Sequence, residues 1–229
     1  MLIKKNINHS KYIFWFSILF IWILSTISDR IWWDLYSNTP SWDQADYLNS
    51  ALDHARALSF LGGDGASDFS SLLDKSPKIP PLASIINGAV IAFAGDAPHQ
   101  AAWSLSFWNG FLIFNIASWG LYLRGKIFGL FCVLISACSP FLFHLRTDYV
   151  LELPLISAIT FYLFHLGRWS DKSIGGKWIQ LLIATFACSF SLLIKQSSLL
   201  VIIPSMLFIF ILSFKRDKKF RLQFLCLVL

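Results

Sequence analysis

Leu82-Ala83-Ser84-Ile85-Ile86-Asn87-Gly88-Ala89-Val90-Ile91-Ala92-Phe93-Ala94 is the stretch on which the topology turns. It is almost wholly apolar, yet a membrane span needs about 20 residues, with a range of about 17 to 25. The run is too short to cross and is expected to lie along, or dip into, one membrane surface. If it crossed, every later loop would change sides.

The composition implies that a membrane is present. Of the 229 residues, 56% are hydrophobic and 14% charged, and the mean hydropathy is +0.61. A soluble domain carries about 25% charged residues, so the expected class is an all-α polytopic membrane protein. The 22 Phe and 10 Trp suit lipid-facing and interfacial positions, where aromatic rings collect. Runs long enough to span, or nearly so, are Tyr12 to Ser28, Ala101 to Leu123, Ile127 to Leu145, Tyr149 to Leu166, Trp178 to Ile194 and Leu199 to Phe214. The apolar run beginning at Phe220 reaches Leu229 after 10 residues. The chain therefore reads as the N-terminal part, residues 1–229, of a longer protein, with about six complete spans and the start of a seventh. Lys4, Lys5 and Lys11 ahead of the first run suggest a signal peptide, but that run is long and bulky and Thr26-Ile27-Ser28 makes a poor cleavage site.

The basic residues support the short-run reading. With Leu82 to Ala94 kept on one surface, 13 of the 19 Lys and Arg fall on one side, from Lys4 through Arg124, Lys126 and Arg168 to the Lys215–Arg221 cluster. The other side receives Arg30, Arg56, Lys75, Lys78, Arg146 and Lys195, with every acid except Asp171 and Asp217. The positive-inside rule then puts the N-terminus in the cytoplasm and the long loop Asp29 to Gln100 outside. Orientation accounts for the net charge of +6, and no nucleic-acid partner is expected. A bacterial plasma membrane, with the site facing outward, is the expected location. Cys132, Cys138, Cys188 and Cys226 lie within apolar runs without metal-ligand spacing and are expected to be buried thiols.

Within the outward loop, Ser41-Trp42-Asp43-Gln44-Ala45-Asp46-Tyr47-Leu48 begins an amphipathic helix. At 100° per residue, Asp43, Asp46, Tyr47, Ser50, Asp53 and His54 fall on one side, and Ala45, Leu48, Ala51, Leu52 and Ala55 on the other. Ser41 with Gln44 offers a capping-box start and Gly62-Gly63 a stop. Such a helix is either a solvated interfacial element or a mount for a general base beside the bilayer. His144, Arg146, Asp148, Glu152 and Lys195 gather at the outer ends of the spans. Glu152 either pairs with Arg146 at a solvated helix end or, with Asp148, faces Asp43 across an outward cavity, where an acid pair binds an acceptor or a divalent cation. Lys78-Ile79-Pro80-Pro81-Leu82 is either a helix start or a phosphate contact through Lys78, with Arg56 as a second cation.

In order and approximate spacing, Asp43-Gln44-x-x-Tyr47, Lys78-x-Pro80-Pro81-Leu82, Pro140 followed by Arg146 and Glu152-x-Pro154, and Lys195 after the fifth span resemble the membrane glycosyltransferases of the GT-C fold. The likeness is to family 39, which includes protein O-mannosyltransferases and the lipid A aminoarabinose transferase. It implies a GT-C-like transmembrane helix bundle with interfacial helices in the first outward loop. It also implies a polyprenyl-phosphate-linked sugar as donor, and an acceptor glycan, lipid or protein. By the same likeness Asp43 is the catalytic base, Glu152 matches the second acidic position, near the acceptor or a metal, and Lys78 the basic residue near the donor phosphate; Asp46, Tyr47, Arg146, Asp148 and Lys195 are also expected to contact substrate. The likeness leaves the metal open. Two departures stand out: Asp43-Gln44 where the family often has Asp-Glu, and Ile79 inserted before the prolines. Two other classes compete: a transporter or flippase of a lipid-linked substrate, and a non-catalytic assembly subunit.

Overall fold

The computed structural model describes residues 2–36, 42–58, 80–171 and 178–213. Every described element is a helix: α1 Leu2–Leu35, α2 Trp42–Leu58, α3 Leu82–Ala94, α4 Pro98–Ala101, α5 Trp103–Arg124, α6 Lys126–Ala137, α7 Pro140–Thr147, α8 Glu152–Ser170, α9 Trp178–Ile194 and α10 Leu199–Ser213, with a 3-10 turn at Gln196–Ser198. The all-α class is as expected. α3 occupies the thirteen-residue run and begins behind Pro81, whose carbonyl accepts from Ile85 N at 2.9 Å. A proline there forfeits no helical hydrogen bond.

Among the described residues one helix, α1 over Lys11–Leu35, is long and apolar enough to cross a membrane, with a mean hydropathy of 1.6. α6 and α7 would make a second if taken together, but they are bent by 59°. The single span expected from Ile127 to Leu145 is thus broken. Ser139 caps the new helix by accepting from Leu142 N, and Pro140 at its first turn cannot donate to the old one. α1 in turn runs past Ser28 into what was expected to be loop. Asp29 to Leu35 contains no glycine or proline, and Trp33 is buried while Trp32 stacks on Tyr36 and meets the edge of Phe143. The fourth expected span, from Tyr149, becomes helical only at Glu152.

α5 is the central element. One side packs on α1 and α6 through Phe14, Ile18, Ile113, Ala117 and Val133. The other side carries the main core, in which Trp108, Leu105 and Leu112 meet Leu48 and Ala51 of α2, Ile91 of α3, Leu153 and Ala158 of α8, and Ile194 of α9. A further core joins α8, α9 and α10 around Tyr162, Trp169 and Ala184. Two polar side chains of α5 are satisfied inside, Asn109 Nδ2 donating to Ser25 Oγ at 2.9 Å and Trp108 Nε1 to Asn87 Oδ1 at 2.7 Å, whereas the buried Ser106 Oγ has no hydrogen-bond partner. Large apolar side chains remain exposed along α1, α6, α9 and α10, among them Phe16, Phe20, Phe131, Phe186, Leu200 and Phe208.

Among the described residues the cysteines are free, but they are not buried as expected: Cys138 is exposed and Cys132 and Cys188 are half-buried. Cys138 sits in the break between α6 and α7, where the helix face toward the bundle is interrupted. Cys226 lies outside the described residues.

Candidate functional site

α2 is mounted on the bundle by α3. At Gly88 the two helices approach so closely that a Cβ would stand 2.8 Å from Ala51 O, Ala55 N and His54 Cβ. Ser50 Oγ donates to Ser84 Oγ at 3.2 Å across the same contact. His54, assigned to the water-facing side by its angle, is instead fully buried, with Nδ1 2.6 Å from Ser50 O. The absence of a side chain at Gly88 makes room for it, and α2 therefore buries a broader stripe than its apolar residues alone define. Asn87, on α3, then ties the pair of helices to Trp108 at the centre of the fold.

This mounting leaves Asp43 and Asp46 exposed in the first turns of α2 and Tyr47 half-buried against the main core. Carboxylates at a helix N-terminus are favoured by the helix dipole. Glu152 occupies the same position in α8, and Lys195 follows the last turn of α9. Glu152 and Lys195 form an ion pair between residues 43 positions apart, with side-chain exposures of 40% and 30%. Burial raises the Tyr47 phenol above its usual value; the Lys195 charge opposes this, and those of Asp43, Glu152 and Asp46 reinforce it. Four of the expected residues, from three separate parts of the chain, therefore bear on a fifth, Tyr47, and two of the four pair with each other. These influences together favour the neutral form of the Tyr47 hydroxyl.

The other expected residues are placed differently. Arg146 is 3% exposed and its Nε lies 2.9 Å from Asp29 Oδ2 and 3.2 Å from Oδ1, with Nη1 3.3 Å from Ala137 O. It bolts α7 to α1 instead of pairing with Glu152, whose partner is Lys195. Asp148 takes His144 as its neighbour, with Nε2 3.1 Å from Oδ2. Arg56 lies 3.3 Å from Asp53 on its own helix. Lys78, Ser41 and Gly62-Gly63 lie outside the described residues. Asp29 was not singled out from sequence, although a carboxylate directly after seventeen apolar-run positions is the kind of residue that requires a partner. Among the described residues no group of three or more His, Cys, Asp or Glu side chains is placed to hold a metal ion.

No protein-family model, curated protein or solved structure matches this chain.

Proposed function

We propose that this chain is the multi-pass membrane module of a GT-C-like glycosyltransferase, moving a sugar from a polyprenyl-phosphate donor to an acceptor hydroxyl on the non-cytoplasmic side. The observation that carries the proposal is the convergence of Asp43, Asp46 and Tyr47 of α2 with the Glu152–Lys195 pair. The exposed apolar faces of α1, α6, α9 and α10 support immersion in lipid, because contiguous apolar surface of this kind is rare on soluble monomers.

In this reading Asp43, exposed and next to Tyr47, takes the proton of the acceptor hydroxyl. The hydroxyl oxygen forms a bond to sugar C1 while the bond from C1 to the phosphate oxygen breaks, and the phosphate leaves with the electron pair. Attack opposite the leaving group inverts C1. Glu152 holds the Lys195 ammonium in place, and that ammonium, with the neutral Tyr47 hydroxyl, faces the developing negative charge. Lys78 is assigned to the donor phosphate by the family resemblance alone. Arg146 is assigned a positioning role through Asp29 and not a substrate contact.

The test is sugar transfer by the full-length protein in detergent, with Asp43→Asn and Asp46→Asn compared side by side. Loss of a general base lowers turnover by about 100- to 10,000-fold. Asp46 lies about 60° from Asp43 around α2, so Asp46→Asn is expected to retain most activity. Wild-type turnover in Asp43→Asn would refute the assignment.

A further inference from the structure

At the opposite, lysine-rich side of the chain, α5 ends at Arg124, Gly125 makes the turn with φ +86°, and α6 begins at Lys126. Between this turn and the first part of α1 lies an open groove of about 670 Å³. Ile13, Ile127 and Leu130 supply apolar wall, and Arg124 and Lys126 stand together at one end. The groove is held in shape. A Cβ at Gly120 would meet Gly129 Cα at 2.6 Å, so α5 and α6 are in backbone contact, and Phe14 of α1 closes on Gly129. Ile127 is 87% exposed, and the N-terminus of α6 has no side-chain cap. Its first backbone N–H groups thus lack a side-chain cap and follow on Arg124, which lies over the Phe128 ring, with Lys126 as the first residue of the helix. An apolar channel ending in two positive charges and uncapped amides is complementary to one kind of molecule in its surroundings, an acyl chain bearing an anionic phosphodiester.

We propose that this groove binds an anionic phospholipid of the cytoplasmic leaflet, its headgroup phosphate between Arg124, Lys126 and the α6 N-terminus and one acyl chain along Ile13, Ile127 and Leu130. Free phosphate lacks the chain, and a zwitterionic lipid offsets the charge, so the anionic lipid is the occupant that uses every feature. The inference rests on the multi-pass orientation proposed above and is independent of glycosyl transfer.

Native mass spectrometry of the protein released from detergent, titrated with phosphatidylglycerol or with phosphatidylcholine of identical chains, tests it. Two basic residues at an anionic surface predict a preference of about 30-fold for phosphatidylglycerol. The double variant Arg124→Gln/Lys126→Gln is expected to lose that preference, and Arg124→Lys/Lys126→Arg to keep it. Millimolar inorganic phosphate is expected not to displace the lipid. Equal retention of the two lipids by the wild type, full preference in the glutamine variant, or displacement by phosphate alone would overturn the proposal. Thiol labelling at Leu123→Cys, in a background free of the native cysteines, separates the two readings. Labelling from the cytoplasmic side supports the orientation whatever the lipid result, and labelling from outside removes the orientation and the leaflet assignment together.

Discussion

Replacing Arg146 by methionine takes away the cation that Asp29 faces while leaving a side chain that can still pack against Phe143. Asp29 is 2% exposed and both its carboxylate oxygens accept from the Arg146 Nε, so the variant strands a buried charge. Losing one member of such a pair costs about 3–5 kcal/mol. Arg30 also acts on Asp29 at longer range, which places the expectation near the lower end, about 3 kcal/mol. Against a total stability of about 5–15 kcal/mol this is a large fraction. Removing both charges in Asp29→Leu/Arg146→Met is expected to return most of that loss, because a buried pair exchanged for apolar groups of similar volume is close to neutral. Unfolding of the four members of the cycle in detergent, followed by tryptophan fluorescence, measures the coupling. A loss under about 1 kcal/mol in Arg146→Met, or a double variant as unstable as the two singles added, would refute the strut. Sugar transfer adds a second readout. If Arg146 only positions α7, the double variant recovers activity with stability, whereas a substrate contact would leave it stable and inactive.

Gly88→Ala forces α2 and α3 apart by roughly 0.6 Å to restore ordinary contact, and overpacking of this kind costs about 1–3 kcal/mol; thermal unfolding and protease cleavage within α2 should report it, and an unchanged melting temperature would contradict the close crossing. Tyr47 has a folded-state pKa raised above the ordinary 10.0. Its neutral form therefore adds stability that is complete below pH 10 and is lost as the pH climbs through the raised folded value. The phenolate absorbance removed by Tyr47→Phe should have its midpoint above pH 10, and a midpoint below that would contradict the half-buried placement.

The helices were legible in the sequence because long apolar runs and an amphipathic repeat are local signals, and the shortness of Leu82 to Ala94 survives directly as α3. What one-dimensional periodicity misses depends on partners. The angle of His54 on α2 placed it in water, because nothing in residues 42–58 announces that a glycine on another helix will receive it. The break at Cys138-Ser139-Pro140 was visible as a proline, yet apolarity on both sides outweighed it. Glu152 and Lys195 were recognisable as charges near the outer ends of apolar runs, and Asp43 as an acid on the polar side of an amphipathic helix. Which of them meet is decided by how α8 and α9 pack on α5, and that is why Arg146, equally conspicuous in sequence, proved to belong to Asp29.

The 117 positions that separate Asp29 from Arg146 also set an order of events during synthesis. At about 5–20 residues per second, α1 leaves the ribosome roughly 6–23 s before its cation does. Throughout that interval the carboxylate lacks the ion pair it has in the finished fold, on the one helix among the described residues that is by itself long and apolar enough to cross a membrane. In the proposed membrane setting, lodging that end in lipid would be costly for an unpaired charge, which favours the water boundary, where hydration is available. The ion pair that fastens the end of the N-terminal helix thus forms only after α5, α6 and the Arg146 part of α7 have been made.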